Sequence, residues 1–168
     1  MLDELHKASA WIIKKWLDVI IRGARWADPQ TDLTEFGAFE ANLAEVIVID
    51  HGADFVISRW GAEIGMLCGG HQRGRCLSEL LQPSRSQLRR ICVRAMAARG
   101  PTAESAIWAV HGGIWDCVML ALPVGGTEDG VRLLIALLFA PHPLFDDPLR
   151  SAHATRAVAT PAVGGGRP

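Results

Sequence analysis

The stretch from 131 to 140 limits the fold of this chain more than any other part of the sequence. It reads VRLLIALLFA, with apolar residues at odd and even positions alike, so a strand formed by it would be buried on both faces. The run is too short to cross a bilayer. Gly130 and Pro141 flank it, as residues that often end a strand. A buried helix is the alternative for an apolar run of this kind.

The neighbouring segment favours the strand. Residues 114–123, IWDCVMLALP, form a second apolar run, and the residues between the two runs, VGGTEDG, include glycines at three positions. Two apolar runs joined by a short glycine-rich segment are typical of a β-hairpin. We therefore predict that the decamer is a central strand of an antiparallel sheet, shielded from water on both sides.

Length and composition are those of one globular domain. The chain has 168 residues, of which 49% are hydrophobic and 21% charged, enough for one sizeable core. A net charge of -1 gives no general attraction to nucleic acid or to acidic membranes. The cysteines form no CxxC pair, and the N-terminal residues contain no signal-type apolar segment and no membrane span. These features predict reduced thiols and a cytoplasmic location.

Residues 1–26 are predicted to form an amphipathic helix. At about 100° per residue, its charged side chains share an arc of roughly 120° and its apolar side chains occupy most of the remainder. One sheet face would not normally cover so broad an apolar arc. The helix therefore packs either on more of its own domain or on the same helix of a second copy. The residues predicted for a dimer surface are Trp11, Ile12, Trp16, Val19 and Ile20.

The middle of the chain alternates strands with helices. Strands are predicted at 45–50, 55–60 and 103–110, where β-branched and other apolar residues lie between turn residues. A longer helix is predicted to begin with a capping box of Ser84 and Gln87 and to end at Gly100-Pro101. Helix, two strands, short helices, a longer helix and three successive strands predict an α+β fold with an antiparallel sheet.

The predicted long helix is rich in arginine outside its apolar face. These side chains could bind phosphate, but neither interleaved aromatic residues nor a glycine-rich loop accompanies them, so a solvated helix face is the better explanation. The residues are Arg85, Arg89, Arg90, Arg94 and Arg99.

The order of these segments resembles the PAS fold. The resemblance rests on a leading helix with a tryptophan, strands EVIVID and FVISRWG, a G-x-E-I segment at 61–64, GRCLSELL at 74–81, a helix ending at Gly100-Pro101, and MLALPV before VRLLIALLF. The chain is similar, more narrowly, to stand-alone proteobacterial PAS proteins. In these, an Arg-x-x-Asp-Pro stretch, here 25–29, a strand ending in Ile-Asp and a Leu-Pro step recur. The resemblance covers about residues 11–140.

This resemblance implies a five-stranded antiparallel sheet of order 2-1-5-4-3. Helices would cover one face, around a space that can hold a small molecule, and the amphipathic helix 1–26 would cover the other and often mediate dimers. The PAS-like domain would span 27–143. Residues 144–168 would form a flexible tail, because their last part has no acidic residue and a GGG run. The residues predicted to line the pocket are Ile91, Cys92, Ala95, Trp108 and Cys117.

The function expected from the resemblance is a non-catalytic sensory or regulatory module. It would be a homodimer that binds a small apolar ligand and signals to a separate output protein. The alternative is a structural interaction module whose core is filled by its own side chains. Sequence motifs for acyl-transfer, phosphate-binding, zinc-protease and dinucleotide-binding enzymes are absent.

A haem or metal sensor is a third, weaker hypothesis, and no cofactor is predicted. Residues 87–99 contain no histidine that could bind haem. The Asn-Cys-Arg motif of light-sensing flavin members of the family is absent, and so is the CxxCH motif that attaches c-type haem. Cys68, His71 and Cys76 offer soft metal ligands, but their Cys-x-x-His-x4-Cys spacing matches no zinc pattern. Ordinary buried thiols and a loop histidine explain them better.

Overall fold

The computed structural model of the protein describes residues 2–21, 33–110, 113–127 and 130–142. The elements are, in chain order, α1 (Leu2–Ile21), a 3-10 segment (Leu33–Asn42), β1 (Leu43–Ile49), β2 (Asp54–Trp60), α2 (Ala62–Cys68), α3 (Ser84–Ala98), β3 (Thr102–Val110), β4 (Gly113–Thr127) and β5 (Gly130–Pro141).

The five strands form one antiparallel sheet in the order β2-β1-β5-β4-β3. The apolar decamer lies in β5, at the centre of the sheet between β1 and β4. Its residues from Leu133 to Leu137 have no exposed surface, because helices cover both faces. The predictions of an α+β fold, of this strand order and of a central decamer are confirmed.

The two faces of the sheet carry separate cores. On the inner face, α2 and α3 pack over Leu133, Ile135 and Leu137. On the outer face, α1 and the 3-10 segment pack over Leu134 and Ala136. Successive side chains of a strand point to opposite faces, so a strand buried on both sides must be apolar at both parities. This is why the decamer shows no alternation.

The hairpin between β4 and β5 is tighter than the sequence indicates. The glycine-rich residues were expected to form a loop, but β4 continues to Thr127, and Gly126 pairs with Val131 in the ladder. The strand register shifts between Pro123 and Gly126, as at a β-bulge. Glycine accommodates such an irregularity in a strand, so glycine here marks a bulge rather than the turn itself.

The predicted start of α3 differs in detail. Pro83 occupies the N-cap position without a side-chain cap, and Ser84 is the first helical residue. The Ser84 side chain is buried and hydrogen-bonds to the thiol of Cys68 instead of capping the helix. The predicted capping box of Ser84 and Gln87 is therefore wrong. The helix ends at Ala98, followed by Arg99 in the left-handed conformation with φ 50°.

The glycine of the G-x-E-I segment has a steric role. A Cβ atom on Gly61 would lie 2.2 Å from the carbonyl oxygen of Ala41, and the Gly61 N–H donates to the carbonyl of Leu43 at 2.9 Å. The backbone after β2 can approach the end of the 3-10 segment and the start of β1 this closely only without a side chain.

Three predictions fall outside the described residues: the end of the first helix at residue 26, the Arg-x-x-Asp-Pro stretch and the tail at 144–168. None of the helices in the part of the chain that the structure describes is long and apolar enough to cross a membrane.

Candidate functional site

The five residues predicted to line a pocket lie together in the inner core. Ile91, Cys92 and Ala95 share the buried face of α3, and Trp108 and Cys117 face them from β3 and β4. Each of the five side chains is completely buried. The inward direction of Trp108 and Cys117, which the sequence alone does not fix, follows from the sheet: both belong to the cluster under α3.

The arginine-lined groove on α3 and the small cavity beside Cys68 are lined by residues other than these five. Trp108 packs edge-on against Phe139, with ring centroids 5.4 Å apart and planes at 71°. Its indole nitrogen Nε1 is buried and has no hydrogen-bond acceptor among the described residues. An unsatisfied buried donor costs about 1–3 kcal/mol, so Trp108 carries unused hydrogen-bonding capacity.

A small cavity of about 180 Å³ lies at the edge of the inner core, where α2 approaches β3. Cys68, Ser84 and Val110 are among the residues that line it. Cys68 and Val110 also pack against the inner core. The cavity therefore reaches the boundary of the cluster that contains Trp108.

The thiols of this region are poor nucleophiles and poor metal ligands. Burial raises the pKa of the Cys68 thiol to about 11, although the hydrogen bond with Ser84 acts in the opposite direction. Burial also raises the pKa of Cys92 and that of Cys117, and the nearby Cys68 adds to the effect on Cys117. Since the thiolate is the reactive form, these side chains remain protonated near neutral pH.

Cys68, His71 and Cys76 are spread over different surroundings. Cys68 lines the small cavity, His71 is exposed, and Cys76 precedes the 3-10 turn Leu77–Glu79. Within the described ranges, no group of three or more His, Cys, Asp or Glu side chains is arranged to hold a metal ion.

The residues predicted for a dimer surface divide between two environments. Ile12 and Trp16 are buried against the outer sheet face, and Trp16 Nε1 donates to the carbonyl of Pro123 at 3.0 Å. Trp11 is 43% exposed and lies 5.3 Å from the ring of Phe39. The side chains of the remaining two, Val19 and Ile20, lie outside the described residues.

Ile12 and Trp16 are therefore buried within their own chain. Both side chains cover the sheet of their own chain, because α1 turns the arc that contains them towards β4 and β5. A different part of the apolar arc is exposed: Leu2 and Leu17 are 42% and 43% accessible. The helical periodicity identified the broad arc but not the part of it that contacts the sheet.

The exposed part of this arc continues onto β3. His6 Nε2 lies 3.5 Å from Ser105 Oγ, which places that side of α1 beside the outer face of β3. Ile107 on that face is 59% exposed. We call this region the α1–β3 surface, and its apolar members are Leu2, Ala10, Leu17, Ala103, Ile107 and Ala109.

The largest cavity that we describe is an open groove of about 630 Å³ along the solvent side of α3. We call it the arginine groove, because Arg85, Arg89, Arg90 and Arg94 line it. The predicted solvated helix face is thus more organised than expected: Arg89 Nη2 donates to the carbonyl of Ala53 at 3.0 Å, and two other arginines hold Glu104.

The order of the strands and the placement of the helices identify the fold. Strand order β2-β1-β5-β4-β3, with α2 and α3 on one face and α1 on the other, is the arrangement that the resemblance implied. The chain has the PAS fold.

Comparisons with known proteins find only low similarities. No family model and no curated protein matches the chain. A sensory box sensor histidine kinase from Vibrio cholerae is 16% identical, with 60% of this chain and 82% of that chain covered and a TM-score of 0.44. A VqmA–ligand–DNA complex from the same organism is 10% identical, with 74% of this chain and 56% of that chain covered and a TM-score of 0.45. The PAS domain of BvgS from Bordetella pertussis is 13% identical, with 70% of this chain and 84% of that chain covered and a TM-score of 0.37.

Two features of this PAS fold were missed by the sequence analysis. The α1–β3 surface has a weak signal, since AESAIWAV places Ile107 at the same parity as Ala103, Ser105 and Ala109. The arginines of the arginine groove were identified in the sequence as a solvated helix face, but the groove itself was not predicted, because Ala53 and Ser78 reach it from segments distant in sequence.

Proposed function

We propose that this PAS-fold chain is a sensory or regulatory module that works as a homodimer and passes a conformational change to another protein. The α1–β3 surface carries the proposal. Its apolar side chains are exposed, and the outer positions of β3 include no charged residue. Exposed apolar surface on a helix and an adjacent strand is typical of interaction sites in soluble proteins.

A second copy of the chain is the occupant that fits this surface. The surface combines a helix stripe and a strand face, so α1 of one copy can lie on β3 of the other and the reverse, as a two-fold interface requires. Association would bury the exposed parts of Leu2, Leu17 and Ile107 twice over. At about 25 cal/mol per Å² of apolar area, such burial favours the dimer.

Light scattering coupled to size exclusion tests this proposal. We expect twice the chain mass for the wild type and a single chain mass for Ile107→Asp, because a buried unpaired carboxylate opposes association. Leu81→Asp is the control: Leu81 is 81% exposed and lies outside the α1–β3 surface, so this variant should stay dimeric. A monomeric wild type, or a dimeric Ile107→Asp, would contradict the proposal.

Trp108 favours a second part of the proposed function, the binding of a small and mostly apolar ligand in the inner core. A ligand with one carbonyl or ether oxygen could accept the hydrogen bond from Nε1, for which the described part of the chain offers no acceptor. The small cavity beside Cys68 supplies a place of access. Its 180 Å³ is below the roughly 300–1,000 Å³ of typical ligand sites, so binding requires the core to open. An opening of this kind would move α3.

Native mass spectrometry of the untreated protein tests ligand binding. We expect an additional small-molecule mass on the wild type and its loss or reduction in Trp108→Phe, which removes the donor and keeps an aromatic ring. If the wild type carries only the mass of its chain, and apolar carbonyl compounds do not raise its melting temperature, the filled-core interaction module is the correct description.

A further inference from the structure

The arginine groove carries more positive charge than the described residues of its own chain neutralise. Arg90 and Arg94 both bind Glu104, the latter at 3.3 Å from Nη1 to Oε2. One carboxylate therefore serves two guanidinium groups. Arg89 is satisfied by a neutral carbonyl.

The other end of the groove is the least neutralised. Asp54, the nearby acid, accepts hydrogen bonds from the hydroxyl and backbone N–H of Ser78 and interacts with Arg89 through space. Arg85 has no carboxylate partner in the described part of the chain, where its neighbour is the amide of Gln82. Four guanidinium groups thus face two carboxylates, and the excess lies towards the N-terminal end of α3.

The shape of the groove favours an extended occupant over a small molecule. From Arg85 to Arg94, α3 advances about 14 Å at 1.5 Å per residue, the length of roughly four residues of extended peptide. Small-molecule sites usually enclose most of their ligand, whereas Arg90 and Arg94 keep 49% and 56% of their side chains exposed.

The chemistry of the groove favours carboxylates with an aliphatic neighbour. Val93 is 44% exposed among the arginines, so the groove offers one apolar contact between charged ones. No aromatic side chain lines it for base stacking, and the net charge of -1 opposes general binding to nucleic acid. Guanidinium groups bind carboxylates through paired, charge-assisted hydrogen bonds.

We propose that the arginine groove docks an acidic, extended segment of a partner protein, with carboxylates on Arg85 and Arg89 and an aliphatic side chain on Val93. The assignment of this groove as the binding site of the output protein rests on the proposed function. The preference for acidic peptide does not depend on it. The opposite face of α3 carries Ile91 and Cys92 in the inner core, so a shift of α3 would move both sites together.

Fluorescence anisotropy with a labelled peptide of Glu-Glu-Leu repeats tests the proposal on the full chain. We expect saturable binding that weakens several-fold between low and physiological salt, and weaker binding of the matching Gln-Gln-Leu peptide. Arg85→Glu should lower the affinity about 10-fold or more, since a repulsive charge replaces an attractive one. Arg73→Glu is the matched control. It makes the same charge change at an exposed position outside the groove and should bind like the wild type.

The outcomes separate this proposal from its alternatives. Equal losses in Arg85→Glu and Arg73→Glu, or equal binding of both peptides, would overturn it. It would also be overturned if single-stranded DNA or phosphatidylserine vesicles bound more tightly than the acidic peptide and lost affinity in Arg85→Glu. Arg85→Gln, which only removes the charge, should give an intermediate affinity and guards against misfolding of the reversed variant. Failure of peptide binding would leave the dimer and ligand results unaffected.

Discussion

Arg132 Nη1 donates a hydrogen bond to Glu45 Oε1 at 3.1 Å, joining β5 to β1 on the outer face of the sheet. The two side chains are only 10% and 12% exposed. Arg59 Nε on β2 lies 3.3 Å from the second carboxylate oxygen. One carboxylate therefore links three adjacent strands, at the only charged position of the apolar decamer.

Glu45→Ala should destabilise the fold by up to about 3–5 kcal/mol, because it removes the carboxylate that joins the nearly buried Arg132 to the neighbouring strands. Chemical unfolding in urea at neutral pH measures the change. Glu63→Ala is the control, since it removes a carboxylate from an exposed position of α2, and it should change stability by less than about 0.5 kcal/mol. A loss below about 1 kcal/mol for Glu45→Ala would show that the link contributes little.

Trp16→Phe should cost more stability than Trp108→Phe by about 1–2 kcal/mol. Both substitutions replace a buried indole with a smaller phenyl ring. Only Trp16→Phe also breaks a hydrogen bond, the one from Nε1 to the carbonyl of Pro123, whereas Trp108 Nε1 has no acceptor. Urea midpoints of the ligand-free proteins measure the difference. The reverse order would mean that Trp108 Nε1 is bonded in solution.

Asp54 should make the fold less stable in acid. Burial alone would raise its pKa, but hydrogen bonds from Ser78 and the Phe55 backbone N–H, together with Arg89, outweigh burial and lower the pKa below its ordinary 3.8. A carboxyl with a lowered folded-state pKa stabilises the fold above its unfolded pKa and loses this contribution as pH falls through the folded value. The affected range is thus below about pH 4.

Asp54→Asn should therefore be less stable than the wild type at neutral pH and should lose less stability on acidification. Thermal melts across the acidic range show this as converging curves. Glu63→Gln removes one negative charge from an exposed helix position, and its curve should remain parallel to that of the wild type. Parallel curves for Asp54→Asn would contradict the role of Asp54.

Alkylation of the native protein should modify Cys76 before Cys92 and Cys117. Cys76 is partly exposed, whereas the other two are completely buried and have a pKa raised by burial. Iodoacetamide treatment followed by peptide mass spectrometry gives the order, and urea should release the buried pair. Native Cys76→Ser should take up little label. Rapid modification of Cys92 would indicate that the inner core opens frequently.

The sequence predicted the fold because the decamer and the order of its neighbours leave few alternatives. Apolar residues at both parities require cover on both sides, whatever the details of the helices. Arg132 did not change this prediction, because one charge within such a run can be matched by a partner on an adjacent strand. That partner, Glu45, is far away in sequence and was not predicted.

The candidate site was only partly predictable. The residues of the inner core were found from helical spacing on α3 and from bulk on the strands. The rotation of α1 was not found, since its apolar arc is too broad to tell the side that meets the sheet, Ile12 and Trp16, from the side that stays exposed, Leu2 and Leu17. The arginine groove depends on Ala53 and Ser78, which approach α3 only after folding.

The position of α1 has a practical consequence for anyone who trims this protein. Ile12 and Trp16 seal the outer side of the sheet over Leu120, Leu134 and other buried side chains. A shortened recombinant protein that started downstream of α1 would expose the apolar outer face of the sheet to solvent. Such a product would precipitate or recruit detergent, and its behaviour would say little about the intact molecule.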